Sequence, residues 1–540
     1  MGTPKASRAD SLTAGRAALA RADWVVARAR FEAAVAEGDA PEAWEGLSRA
    51  AWWQGDQRAT LDARERAYRG YRRAGDARGA ARTAMWLGSD HLDFHGDDAV
   101  ASAWLRRARS LVRDHEPCAE QAWIMLLESD IALLVHSDPP SAERGAVEAL
   151  ELARGIADSG VEVVALAILG SALVAAGAIE DGLRRLEESA ALAVGEDFAE
   201  TAAPGWALCH TVSACADVGD FGRAAQWCRA MHSWSATWHA RHFFGVCRTA
   251  YGEVLATGGD WRSAETELVS AIEDLSTTRP ALAAPSNVRL GRLRVRQGEL
   301  AQARALFEAA LPLPQAILGV AELDLLDGDP GAAVDAADRV LRRLAGGASV
   351  FDRVPALELL ARARAAEGDG AGAAAAAAEL EREAAPLTPY MRGRSRLVLA
   401  EVLAAAGDHD AARRAAEDAG DLFDACSAPF EAARARLLLA GALEALGRCE
   451  GAAAHGRAAR EALALLHTPR GSRGTATDEL SAREVEILRY VAQGLGDASI
   501  AERLFLSPHT IHRHIANIRA KLRVPSRAAA VAYATRHGLL

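Results

Sequence analysis

Between residues 20 and 466 the apolar positions fall at helical spacing in short runs, as at Leu300, Ala303, Leu306 and Phe307. A recurring phrase punctuates these runs: a glycine, usually an acid next, and a small residue five places after the glycine. It reads Gly219-Asp220 with Ala224, Gly259-Asp260 with Ala264, Gly298-Glu299 with Ala303 and Gly328-Asp329 with Ala333. It continues at Gly368-Asp369 with Ala373, Gly407-Asp408 with Ala412 and Gly447 with Ala452. Earlier copies are Gly55-Asp56 with Thr60, Gly96-Asp97 with Ala101, Ser137-Asp138 with Ala142, and Gly177 with Gly182. Eleven marks from 55 to 447 stand about 39 residues apart, and Ala22-Asp23-Trp24 with Ala27 precedes them. Each part of the phrase has a physical role in a helical hairpin. Glycine takes the left-handed conformation that closes one helix. The acid caps the next helix by accepting a backbone N–H, and the small residue lets the two helices approach. Hairpins repeated at a fixed period bury their apolar faces only against neighbours, so the pattern predicts a stacked α-solenoid.

The repeats resemble tetratricopeptide-like units, with a period longer than the standard 34 residues. Alanine, roughly 23% of the chain, favours helix over strand. The 30-residue interval from 298 to 328 fits the frame worst, and Pro312 and Pro314 point to a shortened linker there. Val163 to Ile179 is the one stretch resembling a membrane span; it holds Gly170, Ser171 and Gly177, barely reaches the required length, and reads better as a buried helix. Met1 to Asp10 carries charge with no apolar run behind it, and seven cysteines lack regular spacing. The expectation is a cytoplasmic protein in a reducing compartment, without a membrane segment.

Aromatic residues concentrate between Trp206 and Trp261, among them Trp227, Trp234, Trp238, Phe243, Phe244 and Tyr251. Trp206, Trp227, Trp234 and Trp238 form a candidate ligand pocket on the solenoid. The same stretch holds Cys209, His210, Cys215, Cys228, His232, His239, His242 and Cys247. A metal reading would pair Cys228 with His232 and His239 with His242 on helical faces. Without a Cys-x-x-Cys, packing of these residues is the expectation, with no metal and no cofactor. The chain has two lysines, Lys5 and Lys521, neither placed as in a Gly-Lys-Ser/Thr phosphate loop, so a Walker-type ATPase is excluded. No Ser/His/Asp triad, catalytic carboxylate pair or nucleophile elbow stands out, and no enzyme is expected.

The formal charge of −11 argues against a nucleic-acid partner until it is divided. Residues 503–540 carry Arg503, Arg513, Arg519, Lys521, Arg523, Arg527 and Arg536 with no acid, a net +7, against −18 for the remainder. Ser481 and Glu484 make a capping box that opens a helix closing near Gly494. Asp497 caps a short second helix with Ile500, Ala501 and Leu504. Ser507 caps a third, with Pro508 in its first turn. Ile511, Ile515, Ile518 and Leu522 form its apolar stripe. His509, Arg513, Ala516, Asn517 and Ala520 lie opposite, with His512 at the margin. Pro525-Ser526 starts a fourth helix. A short helix, a tight turn and a longer polar-faced helix is the arrangement that places one helix in the DNA major groove.

Residues 480–540 resemble the LuxR/GerE-type helix-turn-helix domain over its whole length. The match rests on Leu480-Ser481-x-Arg483-Glu484, Gly494, Ile500-Ala501, Leu504, Ser507, Thr510-Ile511, His514, Ile518, Lys521-Leu522, Val524, Arg527 and Ala534. The resemblance implies transcriptional control, with the third helix reading bases and the fourth pairing two copies. It puts His512, Arg513 and Ala516 at base-facing positions and Ser507, Thr510, His514, Lys521 and Arg527 near phosphates. The family usually has lysine where His512 sits and Lys-Glu where Ala498-Ser499 sit, and losing the cation at 512 weakens the electrostatic grip on DNA.

The sequence therefore predicts an all-α chain: a disordered N-terminus at 1–12, a tetratricopeptide-like sensor at 13–466, a flexible linker at 467–479 and a four-helix LuxR-type domain at 480–540. Such a chain resembles the large LuxR-type regulators without their ATPase domain. The expected partners are double-stranded DNA, a second copy of the chain on DNA, and an unknown protein, peptide or small-molecule effector on the repeats. The alternative is a repeat scaffold whose helix-turn-helix does not read DNA sequence.

Overall fold

The computed structural model describes residues 8–195, 198, 202–238, 241–344, 347–467, 482–492 and 495–504, with 511, 514, 515, 518, 519, 527, 530 and 531. The chain divides into two compact units after His467. Among the described residues every regular element is a helix.

The first unit is a run of twelve antiparallel hairpins. They begin with Arg8–Leu19 (α1) and Trp24–Ala36 (α2), Pro41–Trp53 (α3) and Gln57–Ala74 (α4), Ala77–His95 (α5) and Asp98–Val112 (α6). Next come Ala119–Leu134 (α7) and Pro139–Ile156 (α8), Ser159–Ala175 (α9) and Ile179–Gly195 (α10), Ala203–Asp217 (α11) and Phe221–Trp238 (α12). Arg241–Thr257 (α13) and Trp261–Thr278 (α14) are followed by Ala284–Gln297 (α15) and Leu300–Ala309 (α16), then Pro314–Leu326 (α17) and Pro330–Arg343 (α18). The last three hairpins are Val350–Glu367 (α19) with Gly370–Ala384 (α20), Pro389–Ala405 (α21) with His409–Ala425 (α22), and Pro429–Ala445 (α23) with Cys449–His467 (α24). Residues 8–12, expected to be disordered, are the first turn of α1, whose Ser11 is buried.

Every mark of the sequence phrase is a hairpin turn. All twelve turn residues have positive φ, from 51° at Ser137 to 93° at Gly177. At nine of the turns the following aspartate accepts an N–H from the first turn of the next helix, as Asp369 does from Gly372 at 2.9 Å. Glu299 occupies the same place without a side-chain cap, because its longer chain does not fold back onto that turn. The small residue five places on is buried at every copy. α9 and α10 approach backbone to backbone: a methyl on Gly182 would lie 2.6 Å from the Gly170 carbonyl oxygen, and one on Gly170 2.8 Å from that of Gly182. α9 covers most of the stretch that resembled a membrane span and is buried on nearly all sides; among the described residues no helix is long and apolar enough to cross a membrane. The short 298–328 interval is accounted for by the helices, since α16 has 10 residues and α17 13.

Successive first helices of the hairpins touch one another and form the inner layer, with the second helices outside. The stack then coils until one turn rests on the next. Hairpin turns seat on junctions five to six hairpins further along: Trp24 Nε1 donates to the Trp238 carbonyl at 3.1 Å, and Gln57 to that of Thr277 at 3.3 Å. Higher up, the Ser349 N–H donates to Ser137 Oγ at 3.1 Å, and Thr388 Oγ1 donates to the Val218 carbonyl. Gly219 is required for more than its φ, because a methyl there would stand 2.6 Å from Tyr390 Cβ across this seam.

Candidate nucleic-acid interface and the repeat-region cluster

In the second unit, Ala482–Ala492 (α25) and Asp497–Leu504 (α26) lay one apolar face each onto a small core. Ile487, Leu488 and Val491 come from α25, and Ile500, Ala501 and Leu504 from α26. Ile511, Ile515 and Ile518, spaced as one helical stripe, complete it with Ala530. The Ile500 N–H donates to the Gly496 carbonyl at 3.0 Å, so Asp497 is the first residue inside α26 rather than its cap. Arg503 lies over the Tyr490 ring at 5.8 Å, tying α26 to α25.

Two of the ten residues expected at DNA are among those described. His514 is helical and half-buried between the core positions Ile511 and Ile515. Arg527 donates from Nη2 to the Leu495 carbonyl, so its guanidinium also holds the fourth-helix segment against the turn after α25. Ser507, His509, Thr510, His512, Arg513, Ala516, Asn517 and Lys521 lie outside the described residues, as do the linker residues 468–479.

In the first unit the four tryptophans of the candidate pocket are not brought together. Trp234 and Trp238 enter the seam between superhelical turns: the Trp24 and Trp53 rings stack at 4.6 Å, with Trp238 6.5 Å from Trp24 and Trp234 6.4 Å from Trp53. Trp206 joins Trp86 and Trp123, with centroids 6.4 and 6.0 Å away. Trp227 packs beside Leu208, Cys209 and Met231. A cluster contiguous in sequence is thus split by the helical period and the coil.

The cysteines and histidines there are mostly packing. Burial pushes the Cys215 and Cys228 thiols up to about 12, which keeps them protonated, whereas a metal ligand is a thiolate. Cys209 and Cys247 place their sulfurs 3.0 Å apart in a buried contact between α11 and α13. Cys228 is buried and His232 exposed, so the pair does not share a buried face; His239 and the side chain of His242 lie outside the described residues. Among the described residues no group of three His, Cys, Asp or Glu is arranged for a metal ion. His210 accepts from Trp206 Nε1 at 3.1 Å, contacts Ser171 Oγ through Nδ1 at 3.0 Å, and lies 3.2 Å from Asp130.

Buried charge, which the sequence pattern did not reveal, is the other feature of the first unit. Arg64 and Asp90 pair at 2.8 Å with side chains 6% and 0% exposed. Arg279 sits between the Trp52 and Phe94 rings, 4.7 and 4.6 Å from their centroids, with Asp93 3.9 Å away. The available signal was polar residues at helical spacing on otherwise apolar first helices, as in Arg289, Arg292 and Arg296.

These observations define a class: a helical-repeat superhelix followed in the chain by a small helix-turn-helix unit. Residues 478–534 match the model of the bacterial regulatory proteins of the luxR family, and the chain carries a LuxR-type helix-turn-helix domain there. The Fimbriae Z protein of Salmonella typhimurium is 47% identical over 73 residues, 14% of this chain and 34% of that protein. The oxygen regulatory protein NreC of Staphylococcus epidermidis is 44% identical over 61 residues, 11% of this chain and 28% of that protein. The match therefore spans about a third or less of either relative. Among solved structures, the APC/C hetero-tetramer Cut9–Hcn1 aligns over 98% of this chain and 96% of its own, at 15% identity and a TM-score of 0.44.

Proposed function

We propose that this chain is a transcription regulator that binds operator DNA as a dimer through its LuxR-type helix-turn-helix, while the repeat superhelix takes up a protein, peptide or small-molecule signal. The observation that carries the reading is the family match at 478–534, joined to the buried Ile511, Ile515 and Ile518 stripe. At helical spacing the positions opposite that stripe carry no acid. His512, Arg513 and Ala516 are the proposed base-reading positions, and His509 and Asn517 are also proposed to lie at the DNA. Ser507, Thr510, His514, Lys521 and Arg527 are the proposed phosphate contacts, Arg527 in addition to its structural bond. Repression and activation are both open to such an architecture, since DNA binding alone does not set the sign of the effect.

Genome-wide mapping of DNA bound by the intact protein tests the reading, with an enriched sequence as the expected result. On that sequence, neutralising about five to seven phosphates per subunit gives a log–log salt slope near −0.9 per contact. Arg513→Ala is expected to weaken the enriched site more than random DNA, by about 1–3 kcal/mol. No enriched site together with tight protein partners would leave the repeat scaffold as the better description.

A further inference from the structure

Two cysteines far apart in the chain meet inside the first unit. Cys209 of α11 and Cys247 of α13 place their Sγ atoms 3.0 Å apart. A disulfide has an S–S distance of about 2.05 Å, so a shift of about 1 Å separates this contact from a bond. The two helices are the first helices of successive hairpins and pack on each other. Leu208, Met231 and Ala190 share the buried cluster around the pair, which leaves Cys209 8% and Cys247 2% exposed. Packing alone asks only for two small apolar groups here; two sulfurs in contact add a chemistry that alanine or valine would not.

We propose that Cys209 and Cys247 are a thiol–disulfide couple, converted by a hydroperoxide into a cross-link that staples α11 to α13. A small uncharged oxidant suits a contact with apolar walls and so little exposed surface. Cys209 is the more exposed sulfur and attacks first: its thiolate takes the distal oxygen of the hydroperoxide, giving a sulfenic acid, and its proton leaves with the departing alcohol or water. Burial holds the Cys247 thiol well above its ordinary pKa, so it keeps its proton until then. Its sulfur then displaces the sulfenic hydroxyl, and the thiol proton departs with that hydroxyl as water. Two thiols are oxidised and one hydroperoxide is reduced. Burial makes the first step slow, whereas contact makes the second fast, so the sulfenic acid is captured before it is oxidised further. The bond closes a loop around α12, whose Trp234 is set against α11 at Gly205, where a methyl would lie 2.4 Å from the ring. It therefore fixes the segment that carries Trp234 and Trp238 into the seam.

Peptide mapping of the full chain after treatment with hydrogen peroxide, without reductant, tests the proposal. The exposed Cys449 reports that the oxidant is active. The expected product joins Cys209 to Cys247, is reversed by dithiothreitol, and raises Tm by about 2–4 °C. Cys247→Ser should lose the rise and leave a sulfenic acid on Cys209 that dimedone labels; Cys247→Ala serves if that variant does not fold. Cys228→Ala should retain the cross-link. The proposal is overturned by Cys449 oxidised with Cys209 and Cys247 still thiols, by sulfinic acid at either without a cross-link, or by Cys209 joined to Cys215 or Cys228 instead.

Discussion

At the scale of single residues, chemistry is set less by residue type than by what the coil wraps around it. Asp93 lies on α5 opposite Arg279, yet burial outweighs that arginine, Asp90 and Asp130 add like charge, and its carboxyl is pushed up to about 7. In the unfolded chain it titrates near 3.9, so between those values the folded protein holds a proton that the unfolded chain has shed. The stability this group contributes is full below the unfolded value, falls as pH rises, and is gone above pH 7, a span of at most about 4 kcal/mol. Asp93→Asn does not titrate. The melting temperature of Asp93→Asn relative to wild type should therefore climb between pH 4 and pH 7 and then level; parallel curves across that range would contradict the assignment. Nothing in the local sequence marks this aspartate, because its partner Arg279 is 186 residues away. The phrase residues were legible for the opposite reason: left-handed φ, capping and close approach act within a few residues.

At the scale of elements, the acid after the turn separates what a motif predicts from what its geometry delivers. Asp369 and Glu299 hold equivalent places, but the first accepts the Gly372 N–H and the second makes no side-chain cap. Asp369→Ala should cost about 1 kcal/mol, and Glu299→Ala within about 0.5 kcal/mol of zero, read from urea midpoints at constant m. Equal losses would show that charge near the helix N-terminus, not the hydrogen bond, is what the acid supplies. A second class of turn was not read from the sequence. Gly75, Ala157 and Ser427 also take positive φ, at junctions between hairpins, and Asp76 and Asp158 cap the helices that follow. These junctions vary in length and residue type, so they carry no fixed period to detect. In the second unit the sequence located two helices to within a residue or two and the apolar face of the second, Ile500, Ala501 and Leu504; Asp497, expected as a cap, lies inside α26, since a cap and a first-turn acid look alike in sequence.

At the scale of the whole superhelix, the fold departs from what repetition alone implies. An open solenoid has hairpins that touch only their neighbours, and its stability is a sum over nearest-neighbour terms. Here the turn of one hairpin also meets a junction five to six hairpins on, a closure that depends on long-range side chains and is invisible to a periodicity count. Trp234 and Trp238, which looked like a pocket from their crowding in sequence, are part of that closure with Trp24 and Trp53. Arg279 belongs to it as well, 1% exposed between two aromatic rings and near Asp90 and Asp93. If the seam couples the turns, residues 8–467 should unfold in one cooperative step, and amide exchange should protect early and late hairpins to similar free energies. Arg279→Ala removes the inter-turn cation beside Asp93 and leaves Asp90 to Arg64 alone, a loss of about 3–5 kcal/mol by analogy with other broken buried pairs. It should convert the single urea transition into two, with hairpins α1 to α6 exchanging first. A variant that loses stability but keeps one transition and uniform protection would mean that the turns touch without being coupled.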